Sequence, residues 1–513
     1  MKKQFLFALA MTLCLGVMGQ QTIQLRSADK AECVSSDYQQ LKASFSFSTI
    51  QAENMSTQRG QFSWLSMPNT TIGGNEGDPQ IPVVNELIAV PFGATPSIRV
   101  TNYSTTDYRL EDLGIQTLIP RQPSLRKDQR PEDVPFVYNE AAYQTRGLRS
   151  EPQAFVSVEG TMRGIRLGKM TIEPVSYDPV NNTLRVFNDI EVEVSFDGAD
   201  AVATEKMLID TYSPYFDVVY AQMFNGRSLR DAYSDHPDLY TTPVKMLVIT
   251  TSTYANSTAF QNWVTWKKQK GIYVNVYTTA QTGTTAANIK SFIQTQYNQN
   301  HPTFLVIVGD TGDITYSLSS STTSKVTDLY YSSTDGDIFP EIFMSRMPVS
   351  STTELANLLN KIMMYEQYTM PDPSYLSKVL LIAGSDGTWN PRVGQPTINY
   401  AADNYFNTAH GFTSVYKYLD SYSGCYNNMN TGIGFANYTA HGGETGWSGP
   451  SFSVSDANSL TNTNKYFWAM GNCCLAANWG YSGTCLAEAL LRGANKGAFG
   501  YIGSCPETYW WED

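Results

Sequence analysis

The sequence predicts an all-β sandwich followed by an α/β region in which helices flank a mostly parallel sheet. The chain has 513 residues, more than one hydrophobic core usually supports. From about residue 40 to residue 200, apolar and polar residues alternate between turns rich in Gly and Pro, as in antiparallel strands with one face in water. Beyond residue 243, short apolar runs alternate with helix-length segments, which is typical of parallel sheets covered by helices.

The composition argues against nucleic-acid binding. The net charge is −12 and the pI is near 4.9, whereas a phosphate-binding surface needs clustered Lys and Arg. Apolar residues make up 42% of the chain, enough for ordinary globular cores. We therefore expect proteins or small molecules as partners.

Residues 1–20 have the pattern of a secretory signal peptide. Lys2 and Lys3 precede an apolar stretch that ends near Val17, and small and polar residues follow. The stretch is too short for a membrane span, and no later segment approaches 18 unbroken apolar residues. We expect a protein that is secreted or held at the outer cell surface and that does not span the membrane.

The cysteine count predicts no disulfide framework. Removal of the signal peptide leaves six cysteines, which is sparse for a large exported protein. They are Cys33, Cys425, Cys473, Cys474, Cys485 and Cys505. If the chain is cut before its second half, five remain there, so at least one thiol is free.

The strands of the predicted sandwich follow from alternation. In residues 181–198, the apolar side chains Ile190, Val192, Val194 and Phe196 alternate with acidic and polar ones. Residues 77–96 and 160–179 repeat the pattern, with Gly and Pro at the turns. Strands of this kind have one buried face and one wet face.

Residues 225–243 separate the two regions. Gly, Pro, Ser and charged residues interrupt the apolar rhythm there, and Arg227 and Arg230 are open to a trypsin-like enzyme. Two interpretations account for the segment equally well: an interdomain linker, or a processing site after Arg230.

The second region contains six apolar runs that we assign to parallel strands. They are residues 245–250, 303–310, 378–386, 434–443, 466–474 and 497–504. Helical segments such as residues 351–368 lie between them. In open sheets of this kind the functional site lies beyond the carboxyl ends of the strands. Four runs end there with a reactive side chain, namely Asp310, Asp386, His441 and the pair Cys473 and Cys474.

His441 is the candidate base. His236 lies in the linker, His301 begins a turn, and His410 precedes a strand at the opposite edge. His441 alone follows a strand at the functional edge, before two glycines that let backbone amides approach a ligand. A turn histidine without a catalytic role is the alternative, which a cysteine at the same edge makes weaker.

Cys474 is the candidate nucleophile. Neighbouring residues of a strand point to opposite faces, so Cys473 can pack as a small apolar residue while Cys474 turns into the crevice. A vicinal disulfide is the alternative, although adjacent cysteines bridge only with a strained backbone. An imidazolium lowers the pKa of a thiol and can protonate the leaving group. The backbone amides of Gly442 and Cys474 could receive the oxyanion, and Asp386 could orient the imidazole.

Residues 334–341 form an acidic turn. Asp335, Asp337 and Glu341, with the carbonyl of Phe339 and with Asp310, offer the hard oxygen ligands that calcium prefers. The turn lacks the spacing of an EF-hand loop, so a solvated acidic turn is an equally good interpretation. A zinc site is disfavoured because no CxxC or HxxxH spacing is present.

A strand ending in His-Gly, followed some thirty residues later by a strand ending in Cys, resembles the caspase-like cysteine peptidases. The stretches "NYTAHGGETGW", "GNCCLAANWGYSGTCLAEAL" and "YIGSCPETYWWED" resemble the gingipain family more closely, and its lysine-specific branch in particular. The resemblance implies a secreted zymogen with a signal peptide (residues 1–20), an inhibitory β-rich propeptide (21–230) and a caspase-like catalytic domain (231–513). It implies cleavage of proteins and peptides after lysine, and activation by an arginine-specific protease that cuts between Arg230 and Asp231.

The resemblance also assigns roles to individual residues. The nucleophile corresponds to Cys474, its partner to His441 and the third member to Asp386. The implied calcium ligands are Asp310, Asp335, Asp337, Phe339 and Glu341, with Trp479 and Glu488 at a second ion site. The pocket for the lysine side chain would contain Asp513 as its acid, with Thr439, Tyr509 and Trp510 beside it. Thr397 stands where the arginine-specific relatives have their own acid, so arginine preference is disfavoured.

Three features depart from the family pattern. Trp511 replaces a glycine beside the pocket acid, Cys505 replaces a serine, and family members continue beyond Asp513. We therefore expect a fragment of a longer peptidase. A truncated, non-catalytic surface or binding protein and a peptidase with another preference are the alternatives.

Overall fold

The alternating pattern of the first 200 residues folds into antiparallel sheets in this computed structural model, which describes residues 21–228, 243–318 and 325–511. The predicted signal peptide, the Arg230–Asp231 processing site and Asp513 lie outside the described residues. The N-terminal strands form three sheets with the orders β1-β4-β5, β6-β7-β10-β9 and β11-β12-β3-β2, and β8 also pairs with β12. These strands are β1 (Gln21–Gln24), β2 (Lys30–Ser36), β3 (Gln40–Ser46), β4 (Thr49–Thr57), β5 (Gly60–Ser66), β6 (Thr71–Gly73), β7 (Ile81–Val90), β8 (Thr95–Arg109), β9 (Gln153–Met162), β10 (Ile165–Glu173), β11 (Val175–Asp178) and β12 (Thr183–Asp197).

One apolar core joins the N-terminal sheets. In β12, Ile190, Val192, Val194 and Phe196 are buried while the residues between them are not, as the alternation predicts. They pack in one cluster with side chains of β3, β4, β7 and β10, so the sheets face each other across it. The helices of this region are α1 (Glu140–Tyr143), α2 (Ala201–Thr211) and α3 (Asp217–Tyr220).

The second region is α/β, and the predicted fold class is confirmed. Its strands are β13 (Lys245–Thr250), β14 (Tyr273–Thr278), β15 (Phe304–Val308), β16 (Ser317–Leu318), β17 (Val326–Thr327), β18 (Phe343–Met347), β19 (Lys378–Ile382), β20 (Ser414–Tyr418), β21 (Phe435–Thr439), β22 (Gly442–Gly443), β23 (Gly446–Ser448), β24 (Ser451–Ser453), β25 (Phe467–Asn472) and β26 (Ala498–Gly503). Its helices are α4 (Ser252–Ala255), α5 (Thr258–Gln269), α6 (Thr279–Thr282), α7 (Ala286–Asn300), α8 (Leu329–Ser332), α9 (Thr352–Gln367), α10 (Gln395–Asn404), α11 (Tyr422–Thr431), α12 (Val454–Ser459) and α13 (Leu486–Arg492).

The parallel strands divide into two sheets. The first has the order β14-β13-β15-β18 and the second the order β20-β19-β21-β25-β26, and every pair in both is parallel. The expectation that all six apolar runs share one edge was therefore wrong. Asp310 follows β15 in the first sheet, whereas Asp386, His441 and Cys474 follow strands of the second.

Two further expectations concern membrane-spanning helices and disulfides. Within the described residues, the helices are all too short or too polar to cross a membrane. All six cysteines that follow the signal peptide carry free thiols, which rules out the vicinal disulfide in this structure.

Candidate active site

Three neighbouring strands of the second sheet lead to the candidate catalytic residues. β21 lies between β19 and β25, and all three run in the same direction. Their carboxyl ends therefore open on one edge, where Asp386 follows β19, His441 follows β21 and Cys474 follows β25. The structure thus brings the three residues to one place along a sheet, although they are separated in sequence.

Asp386 holds the imidazole of His441. Nε2 of His441 lies 2.9 Å from Oδ2 of Asp386. The other carboxylate oxygen accepts hydrogen bonds from the backbone N–H groups of Thr388 (2.8 Å) and Trp389 (2.6 Å), which fix its orientation. Burial raises the pKa of the Asp386 carboxyl, but the hydrogen bonds with His441, Trp389 and Thr388 together lower it by more. The pKa of Asp386 therefore lies below its usual range. An ionised Asp386 can stabilise an imidazolium at His441.

The two adjacent cysteines differ in their surroundings. Cys473 is fully buried in the apolar core of the second sheet. A Cβ atom on Gly442 would lie 2.8 Å from Sγ of Cys473 and 3.1 Å from the carbonyl oxygen of Cys474, so this position requires glycine. Sγ of Cys474 instead accepts a hydrogen bond of 3.4 Å from the backbone N–H of Thr508. Leu475, the next residue, has a φ of 62°, a left-handed backbone that strains a residue with a side chain.

The thiol of Cys474 is shielded from water. Its residue is only 2% exposed. Burial raises the pKa of the thiol, and hydrogen bonds from Thr508 oppose this only in part. Burial therefore disfavours the thiolate of Cys474.

A segment of the N-terminal region covers this edge. The backbone N–H of Lys127 donates to the carbonyl of Thr508 (2.8 Å), and the N–H of Trp510 donates to the carbonyl of Leu125 (3.2 Å). Arg126 and Tyr509 form the antiparallel bridge between them. Residues 125–127 thus lie beside residues 508–510 as an added strand.

The side chain of Lys127 enters the site. It is fully buried, and Nζ donates a hydrogen bond of 2.6 Å to the carbonyl oxygen of Asn472. Nζ also lies 5.3 Å from the centre of the Trp510 ring, close enough for a cation–π contact. Asn472 pairs in register with the buried Thr439. Of the predicted pocket residues, Tyr509 pairs with Arg126 and Trp510 lies against Lys127, whereas Thr439 is the register partner of Asn472.

Lys127 was not among the site residues predicted from the sequence. A lysine is normally exposed, and no periodicity marks this one. One signal was available: lysine is rare in residues 21–228, which contain five of them.

The acidic turn forms a cluster of three carboxylates. Oxygens of Asp335, Asp337 and Glu341 lie within 4.8 Å of one another. Glu341 is 3% exposed, and its Oε1 has no hydrogen-bond partner among the described residues. Burial raises the pKa of Glu341 to about 7. A buried, unpaired carboxylate oxygen beside two other carboxylates fits a hard divalent cation.

The cluster of three carboxylates does not include Asp310, whose role as a ligand stays a prediction. Oδ2 of Asp310 lies 2.7 Å from the guanidinium of Arg492, which also binds Glu488 at 2.6 Å. Asp310 therefore groups with Glu488, because the carboxylates of both pair with Arg492. The ring of Trp479 lies 5.8 Å from the guanidinium of Arg346, and the N–H of Phe339 donates to Asp337 (2.6 Å).

A carboxylate-bound histidine and a cysteine that follow neighbouring strands, at the carboxyl edge of a parallel sheet, define the class of cysteine peptidases. The family described as "Peptidase family C25" matches residues 239–512, and the family "Propeptide_C25" matches residues 20–214. The chain belongs to peptidase family C25.

Individual relatives agree with the family match. Lys-gingipain of Porphyromonas gingivalis is 47% identical over 523 aligned positions, which cover 100% of this chain and 30% of the relative. Gingipain R2 of the same organism is 25% identical over 479 positions, covering 90% of this chain and 62% of the relative. A solved structure described as "Structure of Protease" is 51% identical, with a TM-score of 0.51, and the match covers 55% of this chain and 64% of that one. This chain thus spans less than a third of the length of the Lys-gingipain relatives.

Proposed function

We propose that this chain is the zymogen part of a secreted cysteine endopeptidase that cleaves proteins and peptides after lysine. The buried Lys127 is the observation that carries the proposal. Its backbone pairs as an added strand next to Cys474, and its side chain lies against the ring of Trp510. A lysine of a substrate strand in the same register would enter the same space. The name of the Lys-gingipain relative supports this specificity.

The chemistry requires a thiolate and a proton carrier. His441 takes the proton of Cys474, and the thiolate attacks the backbone carbonyl carbon of the substrate lysine. The backbone amides of Gly442 and Cys474 stabilise the oxyanion. His441 then protonates the departing amine, which leaves a thioester on Cys474. A water molecule, deprotonated by His441, hydrolyses the thioester and regenerates the thiol. Asp386 keeps the imidazole oriented throughout.

The N-terminal region keeps the enzyme latent in two ways. Lys127 occupies the space of the substrate lysine, and burial of Cys474 keeps its thiol protonated. Residues 21–230 are therefore the inhibitory propeptide, and residues 231–513 contain the catalytic domain. A cut between Arg230 and Asp231 begins activation. A lysine-specific enzyme cannot make that cut, so an arginine-specific protease is the expected partner.

Asp513 is the proposed specificity acid. A lysine that enters a pocket beside Trp510 leaves its hydration shell, and a carboxylate compensates for that loss. Removing one partner of such a buried pair costs roughly 3–5 kcal/mol. Calcium is the proposed cofactor, held by Asp335, Asp337 and Glu341, where it would stabilise the acidic turn without taking part in the chemistry.

The test is a set of paired peptides that differ only in Lys or Arg before the cleaved bond, assayed with the secreted, processed protein. We expect cleavage after lysine only, and a loss of about a hundredfold or more in kcat/KM for Asp513→Asn. Cys474→Ala should abolish turnover, whereas Cys473→Ala retains it. Equal rates for the two peptides, or equal loss in the two cysteine variants, would contradict the proposal.

A further inference from the structure

Four tryptophans form a continuous row from His441 to the N-terminal region, which we call the tryptophan row. The ring centres of Trp510 and His441 lie 5.1 Å apart with the rings perpendicular, and Trp389 stacks on Trp510 at 5.5 Å between centres. Trp511 meets Trp389 edge to face at 5.2 Å. Trp64, on β5, then packs on Trp511 at 5.0 Å. All four separations are in the range of favourable aromatic pairs.

The members of the row differ in exposure. Trp510 is 1% exposed and Trp389 is 7% exposed, so both belong to the core. Trp511 remains 38% exposed even though Trp64 covers part of it. Departure of the N-terminal region would remove Trp64 and uncover Trp511 further. The processed protein would then carry an exposed indole beside its cleft.

The register of the covering segment shows which substrate residue reaches this row. Alternate residues of a strand share a face, so Leu125 lies on the same side as Lys127. Leu125 packs against the apolar cluster that contains Trp389 and Trp510. Arg126 points the other way and pairs with Asp128 at 2.9 Å. The side chain two residues before a substrate lysine therefore lies at the inner end of the row.

We propose that Trp511, together with Trp389, forms a subsite for an aromatic side chain two residues before the cleaved lysine. In the unprocessed chain Leu125 packs against the cluster that contains Trp389 and Trp510, and Trp64 packs on Trp511. A phenylalanine or tyrosine in the place of Leu125 would extend along Trp389 and pack on the face that Trp64 leaves. This inference rests on the proposed function and adds a second specificity position to it.

The experiment uses the processed protein and three peptides with Phe, Leu or Ala two residues before a single lysine. We expect kcat/KM for the Phe peptide to exceed that for the Leu peptide by about threefold to tenfold, as one added aromatic contact provides. Trp511→Ala should reduce this ratio to near one, and Trp511→Phe should keep most of it. Trp468→Ala is the matched control, because Trp468 is 36% exposed at the other end of β25, and its ratio should be unchanged.

The outcomes separate this inference from the proposed function. Cleavage after lysine at equal rates for the Phe and Leu peptides would overturn the subsite alone, and that result needs no variant. A Phe preference that survives in Trp511→Ala would also overturn it. No cleavage after lysine in any of the three peptides would overturn the proposed function together with the subsite.

Discussion

Lys127 and Arg163 are both cations of the N-terminal region that are buried against the second region, but they lie at different places. Lys127 lies at the candidate catalytic edge. Arg163, in the turn between β9 and β10, donates to the carbonyls of His301 (2.8 Å), Pro302 (2.8 Å) and Glu341 (3.1 Å), away from that edge.

The two residues suggest two separate tasks, blocking the candidate site and binding the N-terminal region to the second region. Lys127 donates to the carbonyl of Asn472 and lies against the ring of Trp510, in the space that the proposed function gives to a substrate lysine. Arg163 satisfies several backbone carbonyls in a place with no catalytic residue, and its guanidinium lies over Phe216, which stacks on Phe343 at 4.1 Å. We expect Arg163 to bind the propeptide and Lys127 to block the site.

The largest effect should come from Arg163→Ala. Hydrogen bonds to a charged group each contribute about 1.5–3 kcal/mol, and this substitution leaves the carbonyls of His301, Pro302 and Glu341 without their donor. After the connecting segment is cut, the affinity between the two regions should fall by about a hundredfold or more in a calorimetric titration. Arg166→Ala is the control, because among the described residues Arg166 donates to the carbonyls of Pro91 and Ala94, both in its own region. An equal loss of affinity in both variants would show that Arg163 has no special role in binding the propeptide.

Lys127→Ala should have the next largest effect, and on a different observable. Loss of one charged hydrogen bond weakens the covering segment by about 1.5–3 kcal/mol. Alkylation of Cys474 by a small neutral reagent in the unprocessed chain should become about tenfold to a hundredfold faster. Lys169→Ala, an exposed lysine of β10, is the control and should leave the rate unchanged. An unchanged rate in Lys127→Ala would show that the backbone of residues 125–127 blocks the site without the lysine.

The acidic turn lies next to the region that Arg163 binds, because the backbone N–H of Thr161 donates to Asp337 (2.7 Å). Removal of a cation from this turn therefore tests the same contact between the two regions. A cation at ten times its dissociation constant contributes about 1.4 kcal/mol to the folded state. A calcium chelator should therefore lower the Tm of the unprocessed chain, and Asp335→Asn should remove most of that response. A melting curve that is unchanged by the chelator would contradict the cation site.

The smallest effect concerns pH at the blocked site. Burial raises the pKa of the Cys474 thiol in the unprocessed chain, so the thiolate is lost as the pH falls through that raised value. Release of the propeptide removes this burial and lowers the pKa. The pH profile of alkylation should shift to lower pH in the processed protein, and rising pH should weaken propeptide binding because the complex holds the proton. Identical profiles would show that burial by the propeptide does not control the thiol.

The sequence by itself determined the two fold classes and the candidate catalytic residues. A period of two marks the strands of the first region, and unbroken apolar runs mark the parallel strands of the second. Cys474, His441 and Asp386 each follow such a run, so their location at carboxyl ends needed only local patterns.

Only the tertiary structure decided which strands are neighbours and which buried cations meet which acceptors. Local apolar runs do not encode pairing order, so two sheets looked like one, and the ion pair between Asp310 and Arg492 was not predicted. The burial of Lys127 depends on a contact with Asn472, 345 residues further along the chain. Burying that charge is costly without its acceptors, and those acceptors exist only once the two regions have folded against each other.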